Sequence, residues 1–419
     1  MTLRSLDDWL RLQETVHGQG IDLGLARVRS VAERLGLLPA PARTIIVAGT
    51  NGKGSTVACL AALLRAHGLR AGAFTSPHLL RYHERIRIDG ADATDAQLIA
   101  AFEAIDAVRG DTTLTFFEYN ALAALLVFRT RKVEWAVLEV GLGGRLDAVN
   151  IVDADAAIVC SIGLDHADWL GTDIEQIGRE KAGVFRNGAL AVIADPLMTP
   201  SVESEALRIG ARALKAQRDY AWQPPDGAGH WRWSDADSTF DALTLPALPG
   251  RRQLANAAAA IAALHGLGVP LQTAAINHAL QALQLPGRFQ VVPGPVEWIL
   301  DVAHNEPAAE VLAQNLRDRA CAGRTLAVAG ILGDKNVAAI AAMLDGSVDE
   351  WILCGIAAPR GLTAAQLAAR APQFATATLE ADVAAGMRTA AMRARPGDRI
   401  VVCGSFLTVA PALQLLGLY

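Results

Sequence analysis

A glycine-rich segment with one lysine has the composition of a phosphate-binding loop. The string GTNGKGST (residues 49–56) follows the apolar run TIIVA, which predicts a strand, a tight turn and then a helix. Such a turn directs backbone N–H groups and the positive end of the helix dipole to one point. Lys53 would place a charge on the β- and γ-phosphates, and Ser55 or Thr56 would face Mg²⁺. We therefore predict a nucleotide site rather than a glycine turn without chemistry.

The spacing of this loop differs from the common phosphate-loop pattern. In G-x-x-x-x-G-K-[ST] a glycine stands where this chain has Val47, and a hydroxyl residue stands where this chain has Gly54. The departure indicates a nucleotide site of another kind.

Two further polar segments each follow a continuous apolar run of strand length. Glu139 ends the first run and opens LEVGLGGRLDAVN, whereas Asp165 and His166 lie in SIGLDHADWLG after the second. Ligands bind where parallel strands end, so Glu139 is a natural Mg²⁺ ligand. His166 would be an unusual ligand for this cation, since Mg²⁺ prefers oxygen. A third segment, GREKAGVFR, is by itself typical of a solvated helix face.

The second half of the chain carries weaker signals. Arg288 lies in LPGRFQ, whose Pro-Gly pair is typical of a linker. Asp301, His304 and Asn305 follow another strand-like run. An arginine at a domain junction could reach a phosphate, as bridging arginines do in phosphoryl transfer.

Strand-length apolar runs alternate with helix-length periodic segments along most of the chain. This predicts an α/β fold with mostly parallel sheets, in two domains that cover residues 1–286 and 287–419. The stretch Tyr220–Pro249 differs, with three tryptophans and short alternating segments, and predicts a small antiparallel patch or long loops.

The composition is that of well-packed globular domains. The chain has 419 residues, 52% of them hydrophobic, and a net charge of -5, which argues against a general nucleic-acid binder. It has five scattered cysteines, no apolar signal region and no membrane-spanning stretch. These features predict a cytoplasmic protein without nucleic-acid or membrane partners.

Taken in order, these segments resemble the folylpolyglutamate synthase/dihydrofolate synthase branch of the Mur-type amide ligases. GTNGKGS is similar to the Mur-type loop in general, whereas EVGLGGRLDAVN and LPGRFQ point to the folate branch. The other matching strings run from IDLGLARV through SPHLLRYHERIRI, FFEYNALAAL and QLANAAAA to VVCGSF, nearly the whole chain.

The resemblance implies a Mur-ligase-like P-loop ATPase domain followed by a smaller, Rossmann-like C-terminal domain. It implies that L-glutamate is joined to dihydropteroate or a reduced folate, with ATP cleaved to ADP and phosphate through an acyl phosphate. It also implies Mg²⁺ in two sites and a monovalent cation; a monomer is the default state.

The resemblance also assigns roles to residues of this chain. Lys53, Lys181, His166 and Arg288 would be catalytic. The ATP contacts would be Gly49, Thr50, Asn51, Gly52, Lys53, Gly54, Ser55, Thr56, Asn256, Arg288 and Asp301. The metal ligands would be Ser76, Glu139, His166 and Lys181 as a carbamate. The pterin would lie on Gly20, Ile21, Asp22, Leu23, Thr115, Phe116, Phe117, Glu118, Leu146, Asp147 and Ala148, and glutamate on His304, Asn305 and Ser405.

Two departures from the family pattern lie in the second domain. Glu306 replaces the proline of H-N-P, and Asn336 replaces the aspartate of D-K-D. Both positions would affect glutamate placement more than ATP chemistry.

Four alternatives stay open from the sequence. A monofunctional folylpolyglutamate synthase would extend folates only. A peptidoglycan Mur ligase is disfavoured because about forty residues precede the first strand, too few for a sugar-nucleotide domain. A P-loop switch or kinase is disfavoured by the unusual loop and the Lys181 segment, and a non-catalytic folate binder would not need GTNGKGS. The segments GIDLGLARV and TFFEYN favour a bifunctional enzyme.

Overall fold

The computed structural model describes residues 4–227 and 229–419, with Arg251 described by its backbone alone. The chain divides into two compact units. Unit 1 comprises Met1–Ala247 and Gln253–Leu283, and unit 2 comprises Leu248–Arg252 and Gln284–Tyr419. The sequence placed the domain boundary after residue 286 and did not predict that the short segment Leu248–Arg252 would group with unit 2.

Unit 1 contains eleven strands and ten helices among its described residues. The strands are β1 (Arg43–Ala48), β2 (Ala71–Phe74), β3 (Ile86–Ile88), β4 (Ala91–Asp92), β5 (Trp135–Glu139), β6 (Ala156–Val159), β7 (Leu190–Ile193), β8 (Arg212–Lys215), β9 (Tyr220–Gln223), β10 (His230–Asp235) and β11 (Thr239–Thr244). The helices are α1 (Leu6–Thr15), α2 (Ala26–Arg34), α3 (Lys53–Ala66), α4 (Asp95–Arg109), α5 (Phe116–Thr130), α6 (Ala167–Leu170), α7 (Ile174–Ala182), α8 (Pro200–Ile209), α9 (Arg251–Gly266) and α10 (Thr273–Gln281).

The large sheet of unit 1 is mostly parallel. Its strand order is β4-β3-β2-β5-β1-β6-β7-β8, and only the β2/β3 and β3/β4 pairs are antiparallel. β1 lies between β5 and β6, with Val47 opposite Glu139 and Ala48 opposite Val159. Because parallel strands end at the same edge, the segments that follow β1, β5 and β6 meet there.

The central strands are buried because they are covered on both faces. Every residue of β5, β6 and β7 is buried, as are Thr44–Ala48 of β1. Continuous Val, Ile, Leu and Ala runs are the pattern expected of such strands. The sheet is therefore a rigid platform for the segments at its carboxyl edge.

The tryptophan-rich stretch forms the small antiparallel sheet that the sequence predicted. Its order is β11-β10-β9, and Trp231 and Trp233 of β10 are buried. The Trp233 indole N–H donates to the Ala258 carbonyl oxygen at 3.1 Å, which fixes this sheet to α9.

Unit 2 is a second α/β unit. Its strands are β12 (Gln290–Val292), β13 (Glu297–Asp301), β14 (Thr325–Ala329), β15 (Glu350–Cys354), β16 (Thr378–Glu380) and β17 (Arg399–Cys403), in the order β12-β13-β17-β14-β15-β16. All pairs are parallel except β12/β13. Its helices are α11 (Glu306–Asp318), α12 (Val337–Leu344), α13 (Ala364–Ala368), α14 (Val383–Arg393) and α15 (Phe406–Leu415).

A search for membrane-spanning helices covered the described part of the chain. Within residues 4–227 and 229–419, every helix is too short or too polar to cross a bilayer.

Candidate active site

The phosphate-loop candidate forms the turn between β1 and α3. Gly49 and Gly52 have φ angles of 147° and 89°, a region that favours glycine. A Cβ atom on Gly49 would lie 3.0 Å from the Cβ atom of Cys160, and one on Gly52 would lie 2.8 Å from Asn256 Oδ1. The loop therefore needs glycine for its backbone conformation and for its close packing against β6 and α9.

The segment after β6 holds this loop by reciprocal hydrogen bonds. The Thr50 hydroxyl donates to the Gly163 carbonyl oxygen at 3.0 Å and accepts from the Gly163 N–H at 3.0 Å. Ser161 Oγ accepts from the Asn51 N–H at 3.1 Å and donates to the Asn51 carbonyl oxygen at 3.0 Å. Each hydroxyl thus satisfies two backbone groups, which fixes the loop before a ligand arrives.

Replacing Thr50 by valine is expected to weaken nucleotide binding about tenfold. The change preserves shape but leaves the Gly163 N–H and carbonyl oxygen without their partner, and an unsatisfied buried group costs about 1–3 kcal/mol. Titration calorimetry with ADP measures the effect. Thr50→Ser keeps the hydroxyl and should bind ADP almost as the wild type does. If Thr50→Val binds ADP with the wild-type affinity, the two hydrogen bonds between Thr50 and Gly163 do not contribute to binding.

Two lysine side chains converge on the loop. Lys53 Nζ donates to the carbonyl oxygens of Gly49 at 3.0 Å and Thr50 at 3.2 Å, and Lys181 Nζ donates to that of Gly49 at 3.2 Å. Both amines therefore lie at the amino end of α3, where the helix dipole already favours an anion. Lys53 thus supplies a positive charge where a polyphosphate would bind.

Lys181 does not lie on the solvated helix face that its segment alone suggested. Its side chain is buried, with 5% of the residue exposed. Burial, and after it the positive charge of Lys53, lowers the pKa of Lys181 to about 7, although Asp165, Asp147 and Glu180 oppose that shift. A large fraction of this lysine is therefore neutral near neutral pH.

Arg186 in the same segment also turns inward, where it donates to the Asn150 carbonyl oxygen at 2.9 Å.

Glu139 supplies a carboxylate beside the first turn of α3. The residue is 4% exposed, its Oε2 accepts the Ser76 N–H at 3.2 Å, and a Cβ atom on Gly54 would lie 3.5 Å from the same oxygen. Glu139 is therefore not a solvated acid. A buried carboxylate next to a phosphate loop fits a hard divalent cation, which prefers oxygen ligands.

His166 occupies the loop after the Gly163 contact. It has a left-handed φ of 53°, its side chain is 38% exposed, and its N–H donates to the Asp165 side chain at 2.9 Å. Among the residues that the structure describes, no group of three or more His, Cys, Asp or Glu side chains is placed to hold a metal. The ligand set expected from the resemblance contains two such residues, Glu139 and His166, and relies on Ser76 and Lys181 for the remainder.

The hydroxyl residues of α3 lie behind the loop. Ser55 and Thr56 are both buried, and Thr56 Oγ1 lies 3.2 Å from the Cys160 sulfur. The Thr56 hydroxyl thus packs α3 against Cys160, directly after β6, and its contact with ATP stays a prediction. Asn256, on α9, lies against Gly52, and its contact with ATP also stays a prediction.

The first two segments assigned to the pterin are joined by one arginine. Arg27 of α2 pairs with Asp22 Oδ2 at 2.6 Å and with Glu118 Oε1 at 3.1 Å. Glu118 also accepts the Thr115 N–H at 2.7 Å in a capping box that begins α5. The loop Gly20–Leu23 is thereby held against the amino end of α5.

The third pterin segment forms a glycine turn after β5. Both oxygens of Asp147 accept backbone N–H groups, from Gly141 and Leu142 at 2.9 Å each and from Val149 at 3.0 Å. Burial raises the pKa of Asp147 to about 6, against the lowering effect of those three hydrogen bonds. Its observed contacts shape the turn. Phe117 packs on the same turn, since a Cβ atom on Gly141 would lie 2.6 Å from its ring.

Gly144→Ala is expected to disrupt the contact between this turn and α7. The added Cβ atom would lie 2.8 Å from the carbonyl oxygen and 3.0 Å from the Cα atom of Lys181, and backbone atoms cannot move aside as a side chain can. We expect a loss of about 1–3 kcal/mol in the free energy of unfolding, together with reduced turnover. Urea denaturation measures the former. Gly18→Ala, where the new Cβ atom would meet nothing within 4 Å, is the control, and equal stability of both variants would refute the packing argument.

Unit 2 contains the remaining assigned residues. Both oxygens of Asp301 accept backbone N–H groups, from Phe289 and Ala303 at 2.8 Å each, and burial raises the pKa of this carboxyl. The Arg288 guanidinium lies 5.2 Å from the centre of the Phe406 ring, and the His304 ring centre lies 6.0 Å from it. These residues share one end of the unit 2 sheet.

Several polar residues of unit 2 cap helices. Asn305 accepts the Ala308 N–H at 3.0 Å at the start of α11, and Ser405 accepts the Thr408 N–H at 3.1 Å at the start of α15. Of the two departures, Glu306 is an acidic residue in the first turn of α11, and Asn336 caps α12 through the Ala339 N–H. Both suit helix starts.

Sequence reasoning missed Arg27, Cys160 and the pair of loop contacts made by Ser161 and Gly163. The capping-box pattern T-x-x-E at Thr115 was visible and marks the start of α5. The Arg27 bridge was not visible, because Arg27 and Glu118 are 91 positions apart.

The comparisons with known proteins agree with this geometry. A model of the Mur ligase middle domain matches residues 47–264, and one of the Mur ligase glutamate ligase domain matches residues 287–406. The dihydrofolate synthase/folylpolyglutamate synthase of Escherichia coli (strain K12) is 43% identical over 411 residues, 98% of this chain and 95% of that relative.

Two solved structures are similar over nearly the full length. E. coli FolC in complex with DHPP and ADP has a TM-score of 0.94 at 42% identity, covering 99% of this chain and 98% of the other. A bifunctional folylpolyglutamate synthase/dihydrofolate synthase with Mn, AMPPNP and L-glutamate bound has a TM-score of 0.92 at 45% identity, with the same coverage.

The fold and the loop define a Mur-type ligase, so the predicted fold class is confirmed. The chain belongs to the dihydrofolate synthase/folylpolyglutamate synthase branch of the Mur ligase family.

Proposed function

We propose that this protein joins L-glutamate to dihydropteroate, giving dihydrofolate, and to tetrahydrofolate, giving polyglutamates, with ATP cleaved to ADP and phosphate. The observation that carries the proposal is the convergence of Lys53 and Lys181 on the glycine loop beside the buried carboxylate of Glu139. The relatives that bind ADP, AMPPNP, DHPP and L-glutamate support the same chemistry.

The reaction requires ATP because a carboxylate does not react with an amine at neutral pH. In the proposed mechanism the substrate carboxylate attacks the γ-phosphorus in line and ADP leaves, which forms an acyl phosphate. The amino group of glutamate then attacks the acyl carbon, and phosphate leaves. The first step brings two anions together, so the protein must neutralise and align them.

The phosphate loop supplies much of this neutralisation. Its N–H groups and the Lys53 ammonium would contact the β- and γ-phosphates from a backbone that Thr50 and Ser161 already hold in place. Arg288 and Asp301 are proposed ATP contacts on the strength of the family resemblance, as is Asn256. A preformed site avoids reorganisation during the phosphoryl transfer.

A divalent cation fits the carboxylate beside the loop, and the relative with Mn and AMPPNP bound supports its use. Such an ion would neutralise charge on the phosphates when bound. We propose Mg²⁺ in two sites, with Glu139, Ser76 and His166 as ligands, and a monovalent cation. Lys181 would complete the set as a carbamate, since a neutral buried amine can take up CO₂.

Different segments would hold the pterin and the glutamate. We propose that the pterin contacts the Gly20–Leu23 loop, Thr115–Glu118 and Leu146–Ala148, the first two of which Arg27 joins. We propose that glutamate contacts His304, Asn305 and Ser405, in addition to the capping roles of the last two. We also propose a cytoplasmic monomer, and sedimentation at assay concentration tests the monomeric state.

Product identification tests the function most economically. Dihydropteroate and tetrahydrofolate are offered separately with ATP, Mg²⁺ and glutamate, and the products are identified by mass. We expect dihydrofolate from the first and glutamate-extended tetrahydrofolate from the second. Product from tetrahydrofolate alone would indicate a monofunctional enzyme, and ATP hydrolysis that ignores both acceptors would refute the proposal.

A further inference from the structure

An open cleft lies in unit 1 outside the phosphate loop. Its volume is about 410 Å³, and its wall includes Leu23, Leu146, Trp169, Arg145, Arg179 and Arg208. Two of these, Leu23 and Leu146, belong to the segments proposed for the pterin. The cleft therefore begins where the proposed pterin site ends.

One helix separates this cleft from the reacting groups. Lys181 of α7 reaches inward to the Gly49 carbonyl oxygen, whereas Arg179 and Glu180 of the same helix line the cleft. The backbone N–H of Arg145 donates to the Glu180 carbonyl oxygen at 2.9 Å, which joins the glycine turn to α7. A chain that passes over Leu146 could therefore extend from the phosphate loop into the cleft.

The cleft combines positive charge with an aromatic surface. Three arginines face two carboxylates there, those of Glu180 and Glu205, in a chain whose net charge is -5. Arg208, whose side chain is 70% exposed, makes two hydrogen bonds to Glu205, at 2.6 and 2.8 Å. Arg179 lies 4.0 Å from Asp173, and both of these side chains are more than half exposed. An incoming carboxylate can therefore pair with Arg179 and with the exposed side of the Arg208 guanidinium. Trp169 is 46% exposed and offers a ring face.

Polyglutamylation creates a geometric demand that this cleft can meet. The reacting carboxylate must reach the same γ-phosphorus in every round, because Lys53 and the loop are fixed. Each round inserts one more γ-linked glutamate between the pterin and that carboxylate, and each inserted unit carries a free α-carboxylate. The pterin end of a longer substrate must therefore move away from the position that dihydropteroate occupies.

Resting on the proposed function, we propose that this cleft binds the displaced part of polyglutamylated folates. Arg179 and Arg208 pair with the free α-carboxylates of the tail, and Trp169 contacts the aminobenzoyl or pterin ring. Dihydropteroate has no glutamate and does not need the cleft. The arginines thus set the length of tail that the enzyme extends efficiently.

The test compares two substrates in one double variant, Arg179→Ala/Arg208→Ala. We expect the KM for tetrahydrofolyl diglutamate to rise about tenfold with kcat little changed, the tails formed in long incubations to shorten, and the dihydropteroate reaction to stay at the wild-type rate. The difference should shrink at high salt, because these charges are exposed. In Arg179→Lys/Arg208→Lys, which keeps both positive charges, the KM for tetrahydrofolyl diglutamate should return most of the way to the wild-type value.

Arg212→Ala, an exposed arginine outside the cleft, is the matched control. The inference is overturned if the double variant extends the diglutamate as the control does, or if it loses both reactions equally. A wild-type enzyme that adds glutamate to neither substrate would instead refute the proposed function itself.

Discussion

Lys53→Ala is expected to lower turnover by about 10²–10³-fold while the fold stays intact. The ammonium would neutralise charge that develops on the transferring phosphoryl group, and the loss of one such donor has this order of effect. In the structure Lys53 Nζ contacts the carbonyl oxygens of Gly49 and Thr50, which water can satisfy in the variant. Glutamate-dependent ADP release measures turnover, and thermal unfolding measures the fold.

Lys132→Ala is the control for this variant, since Lys132 is exposed in the turn after α5. It should release ADP at the wild-type rate. Near-normal turnover of Lys53→Ala would contradict the assignment of the loop. Lys53→Ala should also raise the pKa of Lys181, because the charge of Lys53 is one of the causes that lower it.

Lys181→Ala is expected to lose activity almost completely and to regain part of it with small carboxylic acids. If the wild-type residue acts as a carbamate, formate or acetate can place an anionic oxygen in the space left by the side chain. An activity titration with either acid measures the rescue. Lys132→Ala with the same acids is the control and should show no stimulation. A Lys181→Ala variant with full activity before rescue would remove Lys181 from the mechanism.

The pH dependence of Lys181 follows from its burial. Its pKa of about 7 lies below the ordinary lysine value of about 10.4, so the folded state binds fewer protons than the unfolded state between these limits. The contribution of Lys181 to the free energy of unfolding therefore rises with pH through this window. CO₂ reacts with the neutral amine only, so carbamylation and activity should fall as pH drops below about 7. Intact-mass analysis with bicarbonate present should show one added CO₂; an active enzyme without it would refute the carbamate.

The parts of the fold that depend on local pattern could be predicted from the sequence. The helix α4 (Asp95–Arg109) depends on such a pattern, since the Thr94/Gln97 capping box begins it and Gly110 ends it, and both signals stand in the sequence. The β1–turn–α3 unit was also predicted, since a buried strand, glycines and a periodic segment follow one another. Glu139 was predicted to lie near the loop because it ends a strand. The β1/β5 pairing, with Glu139 opposite Val47, places it there.

The burial of Lys181 could not be predicted from its own segment. Its helix has the spacing of a half-exposed helix, whereas in the structure the glycine turn packs on its backbone at Gly144 and its amine contacts the Gly49 carbonyl oxygen. The ion pair of Arg27 with Glu118 and the hydrogen bonds between Thr50 and Gly163 join positions that are far apart in the chain. Such contacts depend on sheet order, which local propensity does not determine.

Oxygen-18 transfer tests the central claim, that the loop activates a carboxylate by phosphorylation. Dihydropteroate labelled with oxygen-18 in its carboxylate is converted with ATP and glutamate, and the released phosphate is analysed by mass. An acyl phosphate predicts one labelled oxygen in each phosphate, because the acyl–oxygen bond breaks when glutamate attacks. The other carboxylate oxygen stays in the product as the amide carbonyl. Phosphate without label, or label in AMP, would contradict the account.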